Sequence, residues 1–187
     1  MKFGELIQIT SAILTSMNIP FIFSGALAAN AYRSAPRATM DLDVAIPFEE
    51  TNLTRIKERF KEFEVQDWDL IVARLEIKKN NPDVIVPEFL RLKHEVGYEI
   101  DFFPLNPKYL ARKFKAKVQN IQIELIGPED LIVIKSIFAR HKDLDDILNI
   151  LENPRIPLDL PYLIQELRAF DNFEMIKIIK QKRGIEY

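Results

Sequence analysis

Apolar positions along the chain alternate between helical and strand spacing. The helical spacing over residues 3–17 predicts an amphipathic first helix that ends at an Asn-Ile-Pro sequence. The short apolar run at 21–23 predicts a buried strand, and the alanine-rich segment 26–32 predicts a helix that can approach the sheet closely. Between 40 and 46 apolar and polar residues alternate, which predicts a second strand.

A third helix is predicted after Pro47. Either Thr51 or Asn52 is expected to cap its N-terminus, because both residue types accept hydrogen bonds from the first free N–H groups of a helix. We expect the charged residues of this helix to face solvent. Its buried face is predicted to consist of Leu53, Ile56, Phe60 and Phe63.

The middle of the chain is ambiguous at first and then predicts a hairpin. Residues 67–77 fit a helix about as well as a strand, and the sequence Asn80-Asn81-Pro82 marks a break. Beyond it the apolar segments 84–94 and 98–105 are separated by Glu-Val-Gly, which predicts two antiparallel strands.

A second hairpin and a helical tail complete the predicted fold. The segments 113–119 and 121–126 predict two short strands with a turn near Asn120. Gly127-Pro128-Glu129-Asp130 is a helix start signal, and two more helices are predicted over 159–183. The resulting fold class is α+β, with a small mixed sheet, flanking helices and a C-terminal helical extension. We expect a sheet domain over 1–126 and a helical region packed on it over 127–187.

Composition limits the possible functions. The 187 residues are enough for one well-buried core, and 26 basic against 28 acidic residues leave a net charge of −2, which gives no global attraction for nucleic acid. The chain has no cysteine and only two histidines, His94 and His141, which argues against a zinc site. It also lacks an apolar run of about 20 residues and a signal-peptide pattern, so we expect a soluble cytoplasmic protein with no membrane partner.

The densest chemistry lies between Gly25 and Asp43. In an extended strand Asp41 and Asp43 project from one face at a spacing of about 6.5–7 Å, close enough to bind a shared metal site. They follow a glycine turn that opens a helix, where backbone N–H groups can bind phosphate. The alternative is that the two acids simply lie on a solvated strand face.

The arrangement resembles the DNA polymerase β-type nucleotidyltransferase superfamily. The match comprises Gly25, the sequence Arg37-x-Thr39-x-Asp41-x-Asp43 and, as a third acid, Asp101 in YEIDFF. The R-x-T-x-D-x-D form is most similar to the branch with abortive-infection toxin and lincosamide nucleotidyltransferases.

The resemblance implies a metal-dependent transfer of a nucleoside monophosphate from a nucleoside triphosphate to a hydroxyl group. It implies two Mg²⁺ ions on Asp41, Asp43 and Asp101. Asp101 is also the candidate general base. Glu99 on the same predicted strand is the alternative to Asp101 as the third ligand. The triphosphate would be bound by Ser24, Gly25, Ala26, Arg37 and Thr39. The acceptor stays open between an RNA or tRNA end and a small molecule, and the toxin branch raises the possibility of an antitoxin partner.

Lys135 lies on an apolar helix face and needs a partner. One interpretation is that its aliphatic chain follows the apolar surface and its ammonium group reaches solvent. The other is that it reaches a triphosphate or an acidic cluster and contributes to catalysis. The resemblance extends to this region, since D-L-x-x-x-K followed by K-D-x-x-D implicates Lys142, Asp143 and Asp146 in nucleotide binding. The two acids could instead cap and stabilise a helix N-terminus.

One position departs from the family pattern. The residue after Gly25 is Ala26, where the family has glycine or serine, and Ser24 precedes the glycine. This difference motivates an alternative function, a nucleotidyltransferase-fold module that binds nucleotide or regulates without turnover. A purely structural α+β protein is a third hypothesis.

Overall fold

The computed structural model describes residues 1–84, 86–118, 121–153 and 155–184. Its strands are β1 (Ile22–Phe23), β2 (Asp41–Ile46), β3 (Phe63–Val65), β4 (Leu90–His94), β5 (Glu99–Pro104), β6 (Phe114–Val118) and β7 (Ile121–Leu125). Its helices are α1 (Phe3–Ser16), α2 (Gly25–Tyr32), α3 (Glu50–Arg59), α4 (Trp68–Asn80), α5 (Pro107–Ala111), α6 (Pro128–Phe138), α7 (His141–Glu152), α8 (Leu160–Ala169) and α9 (Phe173–Arg183).

The strands form one mixed sheet with the order β3-β4-β5-β2-β1-β7-β6. The pairs β1–β7 and β2–β5 are parallel, while β1–β2, β3–β4, β4–β5 and β6–β7 are antiparallel. The register of β2 against β5 places Asp43 opposite Asp101 and Asp41 opposite Glu99. The α+β fold class with a mixed sheet is therefore confirmed.

Apolar alternation explains how the central strands sit in the core. Leu42 and Val44 of β2 are fully buried, as are Ile100 and Phe102 of β5. The acid between the members of each pair, Asp43 in β2 and Asp101 in β5, therefore projects from the other face of the sheet. Helix α2 packs closely on the sheet because its small residues leave no gap, and Ala28 is fully buried.

Helix α2 is also tied to the C-terminal half of the chain. The Tyr32 hydroxyl donates to the carbonyl of Ile126, and the Asn153 side chain donates to the carbonyl of Tyr32 at 2.7 Å. Burial, reinforced by nearby acids, raises the pKa of Tyr32, so the phenol stays a hydrogen-bond donor. The division into a 1–126 domain and a 127–187 region stays a prediction.

The start of α3 was predicted wrongly. The helix begins at Glu50, its N-cap residue Glu49 makes no side-chain cap hydrogen bond, and Asn52 donates to the carbonyl of Pro47 at 3.1 Å instead. The predicted apolar stripe is buried, but Phe60 follows the helix and Phe63 belongs to β3, a strand that the sequence did not predict. The charged residues of α3 are exposed, as expected.

The middle of the chain resolves the helix–strand ambiguity in favour of helix α4. The first hairpin is confirmed, although its first strand covers only 90–94 of the predicted 84–94. The second hairpin is confirmed as β6–β7, and its predicted turn near Asn120 lies outside the described residues. Helix α6 begins at the predicted start signal, and α8 and α9 are the two helices predicted over 159–183. Among the described residues, none of the helices has the length and apolar character needed to cross a bilayer.

Candidate active site

Three carboxylates meet where β2 runs beside β5. Asp41 and Asp43 are half-buried on one face of β2, and Asp101 is 6% exposed on β5, directly opposite Asp43. The alternation read from the sequence is confirmed, and the acids are not a freely solvated strand face. Thr39 lies just before the strand, and its hydroxyl accepts the Asp41 N–H at 3.3 Å and donates to the Asp41 carbonyl at 3.2 Å.

The glycine turn contacts the acid pair directly. The Ser24 N–H donates to the Asp43 carbonyl at 2.9 Å, and Gly25 follows with φ of +56°, a conformation that favours glycine. A Cβ atom on Gly25 would lie 2.9 Å from the Asp43 Cβ and still closer to its carboxylate. The absence of a side chain at Gly25 therefore makes room for the Asp43 carboxylate beside the N-terminus of α2.

Electrostatics set Asp43 apart from the other acids. Burial and the neighbouring charges of Asp101 and Asp41 raise the pKa of Asp43 to about 6, while Lys135 and Lys142 partly offset the rise. Lys142 is itself exposed at the start of α7. The carboxylate therefore carries negative charge that the protein's own cations do not fully balance.

Asp101 is held by a residue that the sequence analysis did not single out. Arg91 of β4 donates from Nε to Asp101 Oδ1 and from Nη2 to Oδ2, both at 2.8 Å. The hydrogen bond to Asp101 raises the pKa of Arg91 further above its ordinary value. The antiparallel register places Arg91 opposite Asp101, so a hairpin centred on the Glu-Val-Gly turn could have identified this pair from the sequence.

Lys135 of α6 points into the protein and not to solvent. It is 5% exposed, and its Nζ lies 3.1 Å from Asp143 Oδ1 and 2.7 Å from Asp146 Oδ2. The interpretation in which the ammonium group reaches solvent is therefore wrong, and the acidic partners come from α7.

The acids of α7 are balanced by basic residues from three directions. Asp146 is fully buried and accepts two hydrogen bonds from Arg37, from Nε and Nη2, both at 2.9 Å, and a further short one from Arg33. Burial alone would raise the pKa of Asp146, but the hydrogen bonds from Arg37, Lys135 and Arg33 outweigh it and lower the pKa to about 2.

Asp143 follows the same pattern. It accepts a hydrogen bond from Arg140 Nε at 2.6 Å in addition to the one from Lys135, and these contacts lower its pKa although burial acts to raise it. The N-cap residue of α7 is Arg140, without a side-chain cap bond. Ion pairing, and not side-chain capping, explains these two acids.

The donor set at the sheet suits Mg²⁺ in part. Carboxylate oxygens are the ligands that Mg²⁺ prefers, and Asp41 and Asp43 are half-buried neighbours on one strand face. Within the described ranges, no group of three or more histidine or acidic side chains is placed to hold a metal ion. Both oxygens of Asp101 already accept hydrogen bonds from Arg91. The residues therefore fit a metal on two acids, with the third engaged elsewhere.

Known structures share this architecture. No protein-family model matches the sequence, and no curated protein does. A solution structure of the antibiotic-resistance factor ANT(2'')-Ia aligns over 97% of this chain and 97% of its own, with a TM-score of 0.61 and 12% identity. The lincomycin-bound lincosamide antibiotic adenylyltransferase LnuA aligns over 80% of this chain and 96% of its own, with a TM-score of 0.56 and 16% identity. The chain has the nucleotidyltransferase fold.

A third structure agrees with this assignment. An antigenic nucleotidyltransferase-like protein from Paracoccidioides brasiliensis aligns over 95% of this chain and 91% of its own, with a TM-score of 0.52 and 18% identity. The resemblance inferred from Gly25 and the acids is thus confirmed for the nucleotidyltransferase fold. Identities this low establish the fold alone, so the roles of individual residues stay predictions.

Within this nucleotidyltransferase fold, two groups of charged residues can be distinguished near the site. The first, here called the carboxylate cluster, consists of Asp41, Asp43 and Asp101. The second, here called the ion-pair network, consists of Arg33, Arg37, Lys135, Arg140, Asp143 and Asp146. The sequence analysis missed the roles of Arg33, Arg91 and Arg140, because each is defined by its partner in space.

Proposed function

We propose that the protein is a metal-dependent nucleotidyltransferase that moves a nucleoside monophosphate from a nucleoside triphosphate to a hydroxyl acceptor. The observation that carries the proposal is the Asp43 carboxylate, which lies against Gly25 at the N-terminus of α2 and is not fully balanced by the protein's own cations. A buried, uncompensated carboxylate is costly to fold, so it favours an external cation. A helix N-terminus beside it favours an anion such as phosphate.

Asp41 and Asp43 would hold Mg²⁺. When bound there, the ion would neutralise triphosphate charge and lower the pKa of the acceptor hydroxyl. Thr39 supports this role because its hydroxyl fixes the backbone of Asp41. We further propose Asp101 as the acid that takes the acceptor proton, which requires it to loosen its contacts with Arg91.

The chain would bind the triphosphate from two sides. The N–H groups at Gly25 and Ala26 lie in the first turn of α2, with Ser24 as the N-cap residue. On the other side, the exposed Lys142 interacts with Asp43 through charge. Arg37 and Lys135 already hydrogen-bond to Asp146, so we propose that they contribute mainly a fixed positive potential to the phosphates.

In the transfer step, the acceptor oxygen attacks the α-phosphorus, the bond from the α-phosphorus to the bridging oxygen breaks, and pyrophosphate leaves with the electron pair. The acceptor proton passes to Asp101. Positive charge from Lys135, Arg37 and Lys142 would stabilise the negative charge that builds up on the departing pyrophosphate.

For the acceptor, we propose a small hydroxylated molecule ahead of an RNA or tRNA end. Two similar folds are an antibiotic adenylyltransferase bound to lincomycin and an antibiotic-resistance factor. A net charge of −2 gives this chain no general attraction for a polynucleotide. An antitoxin partner stays a hypothesis without a specific contact surface.

The test is transfer of an α-labelled nucleotide. The full chain is incubated with Mg²⁺, each nucleoside triphosphate and, separately, aminoglycosides, lincosamides, tRNA and total RNA. We expect label on a small molecule with the unmodified chain and with Asp145→Asn, and none with Asp43→Asn. Tight nucleotide binding without transfer to any acceptor would instead support the non-catalytic module suggested by Ala26.

A further inference from the structure

Arg91 contacts the two acids of β5 that lie opposite the acids of β2. Its Nε and Nη2 hydrogen-bond to the two oxygens of Asp101, and its Nη1 lies 3.3 Å from Glu99 Oε2. Asp101 and Glu99 are the residues of β5 that pair with Asp43 and Asp41. One guanidinium group therefore covers the β5 side of the candidate metal site.

The geometry leaves little of Asp101 for a metal ion. The two hydrogen bonds from Arg91 form a planar fork that matches the carboxylate, and the Asp101 side chain is 8% exposed. A Mg²⁺ ligand must approach within about 2.0–2.1 Å of the ion in near-octahedral geometry. An ion on Asp101 would also lie beside the guanidinium charge and be repelled by it.

The backbone holds this fork in place. Arg91 and Asp101 are directly opposite each other in the β4–β5 ladder, so their separation is set by strand pairing and not by a flexible loop. Among the residues that the structure describes, none gives Asp41 or Asp43 a comparable fork. The contact of Asp41 with Thr39 runs through its backbone, and Gly25 lies against Asp43 without contributing charge.

We propose that Arg91 limits this site to one divalent cation, held by Asp41 and Asp43, by occupying both oxygens of Asp101. The inference rests on the proposed function only in assigning a metal to those two acids. It departs from the two-ion expectation, because the positive charge that a second ion would bring to Asp101 is supplied by an arginine of the protein. Arg91 is thus a positioning residue that sets the metal stoichiometry.

The experiment counts Mn²⁺ ions bound to the full chain, by titration calorimetry and by the electron paramagnetic resonance signal of free Mn²⁺. We expect one ion for the unmodified chain and two for Arg91→Gln. The matched control is Lys93→Gln, which changes a basic residue of the same strand that lies 4.0 Å from Glu99, and it should keep one ion. Two ions on the unmodified chain, or one ion on a folded Arg91→Gln variant, would overturn the proposal.

A second variant covers the case in which Arg91→Gln does not fold. Under the proposal Asp101→Asn binds one Mn²⁺ with a Kd weakened by less than tenfold, because Asp101 contributes only its negative charge and is not a ligand. A tenfold or greater weakening contradicts the proposal.

The labelled-nucleotide assay keeps the two proposals separate. One bound ion without any transfer would remove the proposed function and leave the role of Arg91 standing. Two bound ions with transfer would overturn the role of Arg91 and leave the proposed function standing. No bound Mn²⁺ in any variant would overturn both proposals.

Discussion

The carboxylate cluster and the ion-pair network use the same residue type to opposite effect. Asp43 in the first has a pKa raised to about 6, and Asp146 in the second has a pKa lowered to about 2. Asp43 is half-buried and Asp146 is fully buried, so burial acts in the same direction on the pKa of each. The two residues differ in the charge of their neighbours. Asp43 lies near other acids, whereas Asp146 accepts hydrogen bonds from Arg37, Lys135 and Arg33.

This contrast distinguishes acids that stabilise the structure from acids that are suited to bind a cation. A buried acid whose basic partners are supplied by the chain contributes to a fixed architecture. A buried acid that faces like charges is stabilised only when a cation arrives from outside. We therefore expect substitutions in the ion-pair network to affect folding first, and substitutions in the carboxylate cluster to affect metal binding and transfer first.

The largest expected effect is on transfer by Asp43→Asn. Removing the charge that holds the metal should reduce the rate on the order of a thousandfold, equivalent to several kcal/mol of transition-state stabilisation. The rate is measured with an α-labelled nucleotide. Asp145→Asn is the control, since that side chain is 57% exposed and lies outside the cluster, and a similar loss there would argue against a specific role for Asp43.

The second effect concerns stability. Asp146→Asn should lower the free energy of unfolding by about 3–5 kcal/mol, because it leaves Lys135 and Arg37 buried without a full counter-charge. Urea unfolding followed by circular dichroism measures the change. Asp145→Asn should cost less than about 1 kcal/mol, because the Asp145 side chain is 57% exposed and its partner Arg33 keeps the contact with Asp146. Equal losses would show that the network is not what stabilises this region.

A third prediction separates backbone strain from contact. Gly25→Ala should destabilise the fold by about 2–3 kcal/mol and weaken Mn²⁺ binding, because the new methyl group would displace the Asp43 carboxylate. Gly184→Ala is matched to it, with φ of +63° and no atom within 4 Å of the added Cβ. It should show only the strain of about 1 kcal/mol. If both variants keep normal Mn²⁺ affinity, the close approach at Gly25 has no role in metal binding.

The smallest effect is the dependence on pH. The pKa of Asp43 is raised on folding, so the folded state retains its proton more strongly between its ordinary value of 3.8 and about 6. The apo protein should therefore lose about 1.4 kcal/mol of stability per pH unit, relative to Asp43→Asn, as the pH rises through this window. Mn²⁺ affinity should change in the opposite sense, falling about tenfold for each pH unit below 6. Thermal melting and Mn²⁺ titration from pH 4.5 to 7.5 test both, and a flat profile would contradict the charge assignment.

Local patterns were sufficient to predict the elements that present the carboxylate cluster. The alternation from Met40 to Ile46 placed the acids on one face, and the glycine turn and the β4–β5 hairpin followed from turn residues and apolar runs. The short strand β3 was not predicted, because three residues are too few to show an alternation of apolar and polar positions. Helix α5, five residues long, escaped for the same reason.

The partners of the site could not be predicted in the same way. Lys135 stood out as a buried cation, but its acids belong to α7 and meet it only when two helices pack. Arg91 does not stand out by residue type or burial, and only the register of the β4–β5 hairpin pairs it with Asp101. Its role depends on a one-residue choice of hairpin register.

Sequence distance gives the ion-pair network a consequence for how the protein is made. Arg37 and Asp146 are 109 positions apart, and the contact between Tyr32 and Ile126 spans 94. At a translation rate of roughly 5–20 residues per second, Asp146 is synthesised on the order of 10 s after Arg37. A growing chain thus has Arg33, Arg37 and both acids of β2 long before α7 supplies Asp143 and Asp146. The site is assembled at the end of synthesis, and a truncated chain that ends before α7 carries the basic residues of the ion-pair network without their acids.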